Sequence, residues 1–311
     1  MEETAAAGSP LLLLLVSAAI SGEVIKEFGS VEQKQRWLPA MADGTDKIVF
    51  AITEPDAGSN THQLSTRAVR DGDEWVLSGT KYYISGVDEA SNLLVVARTG
   101  TADNGRGEMT LFVVPTDAEG LDRALIPVEV RAPEKQYTLT FDGVRVADDR
   151  RVGDVGAGME IVFRGLNPER ITGAAIETGI ARYALAKASK YAREREVWGV
   201  PIGSHQGVSH PLAAAAVDVE LARLMTAKAA WLHDHGLPAG EASNMAKYAA
   251  AEAALKALDT AIQTHGGNGL ATEYGLAHLW GTARLLKVAP VSREMVLNFV
   301  ATHTLGLPRS Y

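Results

Sequence analysis

Cysteine is missing altogether from the 311 residues. That absence excludes a disulfide framework, a thiolate nucleophile and any cysteine-held zinc or iron–sulfur centre. Runs of lysine and arginine are also lacking, and the formal net charge is −8. Phosphate backbones need a positive footprint, so no nucleic-acid partner is expected. Apolar runs of membrane length are lacking too. Pro10–Ile20 falls short of the roughly 20 apolar residues a bilayer demands, and the acidic Glu2 and Glu3 stand before it where a secretory leader is basic. The segment is expected to be a buried helix, with no membrane span. What remains, 46% apolar and 22% charged, is the composition of an ordinary soluble globular chain long enough for two or three domains. A cytoplasmic location is expected.

The pattern changes twice along the chain. Residues 1–45 read as helical and end on a charged stretch, Glu32 to Arg36, followed by Trp37 and Leu38. Residues 46–152 carry short β-rich runs at 47–52, 74–78, 81–84, 92–97, 110–114 and 137–141, punctuated by turn signals such as Asp71-Gly72 and Asp142-Gly143. With no helical pattern between them, these runs predict an antiparallel barrel or sandwich. In residues 153–311 the period becomes helical. Ile176, Ile180, Tyr183, Ala184, Ala188 and Tyr191 share one face of a long helix running toward Arg195. Further helices are predicted at 206–235, 240–265 (ended by Gly266-Gly267), 273–287 and 292–304, which makes an antiparallel bundle.

Simple motifs say little. Gly153 to Gly158 lacks the strand–helix context of a dinucleotide loop and reads as the turn into the bundle. His233 and His235 point roughly 200° apart on a helix, so no metal site is expected. No Ser/His/Asp spacing suggests a hydrolase.

Four stretches together are specific. They are Thr53–Asn60 (TEPDAGSN), Ser78–Gly86 (SGTKYYISG), Arg195–Gln206 (REVWGVPIGSHQ) and Gln263–Leu270 (QTHGGNGL). In this order and at these separations they resemble the acyl-CoA dehydrogenase family, from Leu11 nearly to the end. The resemblance implies N-terminal helices, a central antiparallel β-barrel and a C-terminal four-helix bundle, with one FAD per subunit and a dimer or tetramer of identical chains. Residues 1–45 match only the later part of the family's N-terminal domain.

The resemblance implies FAD contacts at Phe50, Ile52, Thr53, Gly58, Ser59, Tyr83 and Ser85. Thr53 and Ser59 can hydrogen-bond the polar edge of the ring, and Tyr83 offers a flat face. Arg195, Trp198 and Gln206 are implied to reach a neighbouring subunit's FAD, Gln263 to contact FAD, and Gly266 and Gly267, with Gly269, to let backbone N–H groups approach FAD phosphate. Taken alone, Arg195 is a cation near a helix C-terminus and the glycines are a helix stop.

The base is the informative departure. Most of the family carries it in a C-terminal Glu-Gly-Thr-like loop, where this chain has Val288-Ala289-Pro290-Val291-Ser292-Arg293-Glu294. Proline abstracts no proton, and its missing N–H removes a donor to the thioester carbonyl. A minority branch, with the isovaleryl and long-chain types, carries the glutamate on the long bundle helix. The matching Leu166-Asn167-Pro168-Glu169-Arg170 makes Glu169 the candidate base and Arg170 a candidate contact to the CoA moiety, with Ser59 also facing substrate. Ser292 and Glu294 are then expected beside the flavin, with Glu160 and Glu177 as the next carboxylates to try. The competing reading is helix-start chemistry, with Asn167 as N-cap and Pro168 at the first position. The implied function is FAD-dependent α,β-dehydrogenation of an acyl-CoA to a trans-2-enoyl-CoA, with electrons passed to an electron-transfer flavoprotein. A flavin oxidase or monooxygenase on the same scaffold and a catalytically silent acyl-CoA-binding subunit are the alternatives.

Overall fold

A computed structural model describes residues 1–103 and 105–309. It resolves into two compact units, one comprising Met1–Leu11, Glu129–Arg131 and the chain from Asn167 onward, the other Leu12–Val128 and Ala132–Leu166. The first opens with α1 (Glu2–Ala6).

The second begins with α2 (Leu12–Leu14), which continues through a wider, π-type coil, Leu15–Gly22, into α3 (Glu23–Phe28). Of the apolar segment expected to be buried, Leu12, Leu15 and Ile20 are buried while Leu11 and Leu14 are exposed; Val24 and Ile25 beyond it are buried too. Next, α4 (Val31–Asp43) starts with a reciprocal cap: Gln33 N–H donates to Ser30 Oγ at 3.2 Å, and Ser30 N–H to Gln33 Oε1 at 3.0 Å.

The strands β1 (Ile48–Ala51), β2 (Arg67–Asp71), β3 (Glu74–Ser85), β4 (Asn92–Thr101), β5 (Gly107–Pro115), β6 (Leu121–Ile126), β7 (Gln136–Ala147) and β8 (Arg151–Val152) form one sheet. Their order is β6-β7-β3-β2-β4-β5-β8, with β1 beside β4. The expected barrel does not close. Among the described residues β6 and β8 do not pair, and the sheet is mixed rather than antiparallel. β1 runs parallel to β4 from Ile48↔Asn92 to Ala51↔Val95, and β2 meets β4 in parallel at Arg67↔Arg98. The parallel pairings centre on β4, whose residues Asn92–Ala97 are all buried, the mark of a strand covered on both faces rather than of a half-solvated antiparallel one.

Two predicted runs, 74–78 and 81–84, are one strand, β3, whose register against β7 shifts between Leu77 and Gly79. Gly79 has φ +148°, and a Cβ there would lie 2.6 Å from Thr66 Cα, so only glycine lets the strand pass its neighbour. Strands β2, β6 and β8 escaped the sequence reading. β2 buries only Ala68 and β6 buries no residue, so neither shows apolar alternation. Inside, Leu77, Leu93, Val95, Phe112 and Leu139 are fully buried. Emptying Phe112 to alanine would cost about 3–5 kcal/mol.

From the turn at Gly153 and Gly156, both with positive φ, the chain enters α5 (Gly158–Glu194). Pro168 is therefore interior to the helix, and Asn167 is no N-cap: its Oδ1 accepts from Arg170 Nη1 at 3.1 Å. The helix-start reading of this stretch is overturned. Pro168 has no N–H to give the preceding turn, while Thr172 Oγ1 donates back to the Pro168 carbonyl at 2.8 Å. A hairpin of β9 (Glu196–Val197) and β10 (Val200–Pro201) follows, then α6 (Gln206–Asp234), α7 (Gly240–His265), α8 (Ala277–Val288) and α9 (Arg293–Phe299). α7 packs against α6, α8 and α9. Its buried alanines at 246, 250, 253, 254, 257 and 261 leave room for neighbours on several sides. No described helix is long and apolar enough to cross a membrane.

Candidate functional site

In the sheet-bearing unit, two of the four motif stretches are tied together. The Tyr82 N–H donates to the Thr53 carbonyl at 2.8 Å, joining the loop after β1 to β3. Beneath this link, Lys81 Nζ donates to Glu54 Oε1 and to the Ile52 carbonyl, both at 2.9 Å. The Glu54 carboxylate also accepts from Ser65 N–H at 2.6 Å and Thr66 N–H at 2.9 Å. Burial alone would raise the Glu54 carboxyl, but the Lys81 charge and these hydrogen bonds hold it at about 2. Burial lowers Lys81 to about 8 against the opposing pull of Glu54. Neither residue was singled out in the sequence. The available signal was a lysine at an inward position of an alternating strand, which requires a buried carboxylate partner.

Among the candidate cofactor residues here, Phe50, Ile52 and Thr53 are half-buried, while Gly58, Ser59 and Tyr83 are exposed. A Cβ on Gly58 would meet nothing within 4 Å. Ser85 Oγ donates to Gln136 Oε1 at 2.9 Å, and the Tyr83 ring stands edge-on to Tyr82 at 4.4 Å.

A second group gathers at one end of the helical unit. Ile202 N–H donates to the Arg195 carbonyl at 2.8 Å, and the Trp198 ring lies 5.8 Å from His205, next to Gln206. Gln263 lines a shallow cleft of about 330 Å³ together with Gly207, Val208 and Pro211 of α6. Gly266 (φ +60°) ends α7, and Cβ atoms at Gly266 and Gly267 would meet nothing within 4 Å. Gly269 differs: a Cβ there would sit 2.5 Å from the Ile262 carbonyl oxygen, so internal packing already requires a glycine. Among the described residues only Tyr83 and Trp198 hold positive φ without being glycine, at +56° and +54°. The resemblance marks both as cofactor contacts; at Trp198 the two-residue hairpin turn Trp198-Gly199 itself calls for positive φ, whereas Tyr83 lies within a strand, where such strain points to a functional site.

The third group surrounds α5. Glu169 is 2% exposed, and among the described residues its Oε2 has no hydrogen-bond partner. Burial raises its carboxyl to about 8, against the lowering pull of Arg170 and Lys247. Arg170 is buried beside it with an unpartnered Nε. Lys247 of α7, missed in the sequence because nothing there separates it from Lys256 of the same alanine-rich helix, donates to the Leu286 carbonyl at 2.8 Å. Glu177 is fully buried with both carboxylate oxygens unpartnered, whereas Glu160 is a surface group paired with Arg164 at 3.1 Å. Ser292 caps α9, accepting from Met295 N–H at 3.3 Å, and Glu294 is exposed 3.6 Å from Arg293.

Family models match the whole arrangement: the acyl-CoA dehydrogenase N-terminal domain at residues 1–45, middle domain at 49–144 and C-terminal domain at 156–305. The acyl-CoA dehydrogenase FadE12 of Mycobacterium tuberculosis is 55% identical, over 100% of this chain and 81% of its own length. The mitochondrial short-chain specific acyl-CoA dehydrogenase of Mus musculus is 35% identical, over 98% of this chain and 74% of its own. The glutaryl-coenzyme A dehydrogenase in complex with glutaryl-CoA superposes with a TM-score of 0.92 at 32% identity, covering 99% of this chain and 78% of that one. The chain belongs to the FAD-binding acyl-CoA dehydrogenase family.

Proposed function

We propose that this enzyme removes a proton from Cα and a hydride from Cβ of an acyl-CoA thioester, with Glu169 as the base, yielding a trans-2-enoyl-CoA. The observation that carries the reading is the buried Glu169 carboxylate with a free oxygen, flanked by the cations Arg170 and Lys247. A carboxyl raised to about 8 is a stronger base once ionised than an ordinary one, and exclusion of water keeps that basicity for the substrate. Arg170, buried with a spare donor, suits the CoA side of the thioester. FAD, when bound, supplies the hydride acceptor. The residues present suit it: Tyr83 offers an exposed aromatic face, Thr53 and Ser59 offer hydroxyls, and Gly58, Gly266 and Gly267 leave backbone open to close approach. Ser85 joins the set in the sheet-bearing unit, with Phe50 and Ile52 as its apolar lining; Arg195, Trp198 and Gln206 are proposed to reach a neighbouring subunit's FAD, with Gln263, Ser292 and Glu294 as further flavin contacts. The reading also has the chain acting in the cytoplasm as a homo-oligomer, in three parts at 1–45, 46–152 and 153–311, delivering its electrons to an electron-transfer flavoprotein.

Glu169→Gln tests the base. Substrate binding should persist while single-turnover flavin reduction falls by about two to four orders of magnitude. Reduction at the parent rate would remove Glu169 from the mechanism. One observation favours a silent acyl-CoA-binding subunit, namely Pro290, whose nitrogen cannot donate to a thioester carbonyl. Tight acyl-CoA binding without anaerobic bleaching of the flavin would select that reading.

A further inference from the structure

Glu177 is the least explained charge-bearing side chain in the helical unit. It is fully buried, and neither carboxylate oxygen has a hydrogen-bond partner among the described residues. It stands eight residues beyond Glu169 on α5, about 12 Å along the helix axis. An added Cβ at Gly240 would lie 4.0 Å from Asn167 Oδ1, and the His265 ring stacks on Tyr191 at 4.3 Å, so α7 runs beside α5 and sets one buried cation level with the turn between the two glutamates. Lys247 is that cation. It is 3% exposed, and the Leu286 carbonyl takes one of the three donors an ammonium offers. Burial pulls Lys247 below its ordinary value; Glu177 opposes that pull more strongly than Glu169 does.

The rest of the surroundings is accounted for. From α5, Arg170 faces Glu169, with Nη1 on Asn167. From α7, Glu252 is engaged by Lys287 of α8 at 2.9 Å and by Arg293 of α9 at 2.7 Å. Glu252 and Lys287 act on Glu177 with opposite sign, and Glu294 of α9 acts on Lys247 from a more exposed position. Two enclosed carboxyls thus draw on one enclosed ammonium.

We propose that Glu177 is a positioning residue for Glu169, taking a share of the Lys247 ammonium and so setting how readily Glu169 gives up its proton. The inference rests on Glu169 being the base. A general base works ionised, so flavin reduction rises with pH through its titration. In this arrangement the two glutamates are linked through Lys247, so the parent's rise is broadened. Removing the Glu177 charge leaves Lys247 to Glu169 alone. The rise then becomes a single step at lower pH, while the high-pH plateau stays within a few-fold of the parent. Removing the Lys247 charge moves the rise to higher pH.

The experiment is anaerobic stopped-flow reduction of the FAD-loaded enzyme across pH, using whichever of butyryl-, isovaleryl- and octanoyl-CoA bleaches the parent fastest. The parent is compared with Glu177→Gln, Glu177→Leu, Lys247→Met and Glu169→Gln. Glu177→Gln or Glu177→Leu should lower the midpoint by about half a pH unit or more, and Lys247→Met should raise it. An unmoved midpoint and width in the folded Glu177 variants, or in Lys247→Met, overturns the inference while leaving Glu169 as base if Glu169→Gln is inactive. Loss of reduction at every pH in both Glu177 variants, with Glu169→Gln still active, makes Glu177 the base and overturns both readings.

Discussion

Lys81 Nζ lies 2.9 Å from Glu54 Oε1, with the two side chains 0% and 2% exposed, so a whole ion pair is sealed under the loop that carries Thr53, Gly58 and Ser59. Its value to the fold is asymmetric. Removing both charges costs little, but removing one strands the other in a medium that cannot solvate it. Lys81→Met should therefore cost about 3–5 kcal/mol in urea unfolding. Adding Glu54→Gln should recover part of that loss, because the stranded charge is gone and the single amide oxygen can still accept from one of Ser65 and Thr66, which bond different carboxylate oxygens. A single-variant loss below about 1 kcal/mol would mean that water reaches the pair.

Trp198 is 88% exposed and holds φ +54°, a conformation that costs an L-residue about 1–2 kcal/mol. The two-residue turn Trp198-Gly199 of the β9–β10 hairpin itself calls for positive φ at both positions, so the backbone is explained by the hairpin, and it is the exposed ring, edge-on to His205, that fits a side chain serving a ligand or a second subunit. Trp198→Gly exchanges the strain for the greater unfolded-state freedom of glycine, so apo stability should change by less than about 1 kcal/mol. FAD retention, read from the visible spectrum after gel filtration, and oligomer mass by light scattering should both fall. Unchanged retention and mass would leave the exposed tryptophan without its proposed role.

Arg195→Ala is the companion case. Its side chain is exposed at the end of α5 and the residue is held by backbone bonds alone, Arg195 N–H to Tyr191 and Ile202 N–H to the Arg195 carbonyl. The fold should tolerate the change within about 0.5 kcal/mol. A titration of FAD into the apo variant should show at least about tenfold weaker binding, the size of one lost charge-assisted contact to phosphate. Equal affinity would return Arg195 to the simple reading of a cation at a helix end.

The sequence made the helices legible because their apolar faces repeat over many turns. The predicted spans 206–235 and 240–265 differ from α6 and α7 by no more than one residue. The sheet was harder. β6 has no buried residue, and closure depends on pairings between distant strands that no local pattern encodes. Pro168 misled for a physical reason: Asn-Pro-Glu is common at helix starts, and only the packing of the preceding turn carries α5 back to Gly158. The site motifs were visible as segments, but the ion pair joining two of them and the Lys247 side chain between Glu169 and Glu177 are tertiary facts.

Stability of the cofactor-free protein should peak near pH 5, for reasons of opposite sign at its glutamates. Glu54 is held at about 2, below its ordinary 4.5. Its contribution is complete above about 4.5 and is lost as pH falls through about 2. Glu169 and Glu177 are each raised from 4.5 to about 8. Between those values the folded chain holds protons that the unfolded chain has released, so stability declines as pH rises across that window. Glu169→Gln removes one of the two contributions without emptying the space. Its stability should therefore fall less steeply between about pH 5 and pH 8, and at about pH 8 it should exceed that of the parent. Urea unfolding of both proteins at intervals from about pH 4 to pH 9 measures this directly. A parent curve that is flat or rising between pH 5 and 8 would show that the two buried carboxyls ionise in the folded chain as they do in water.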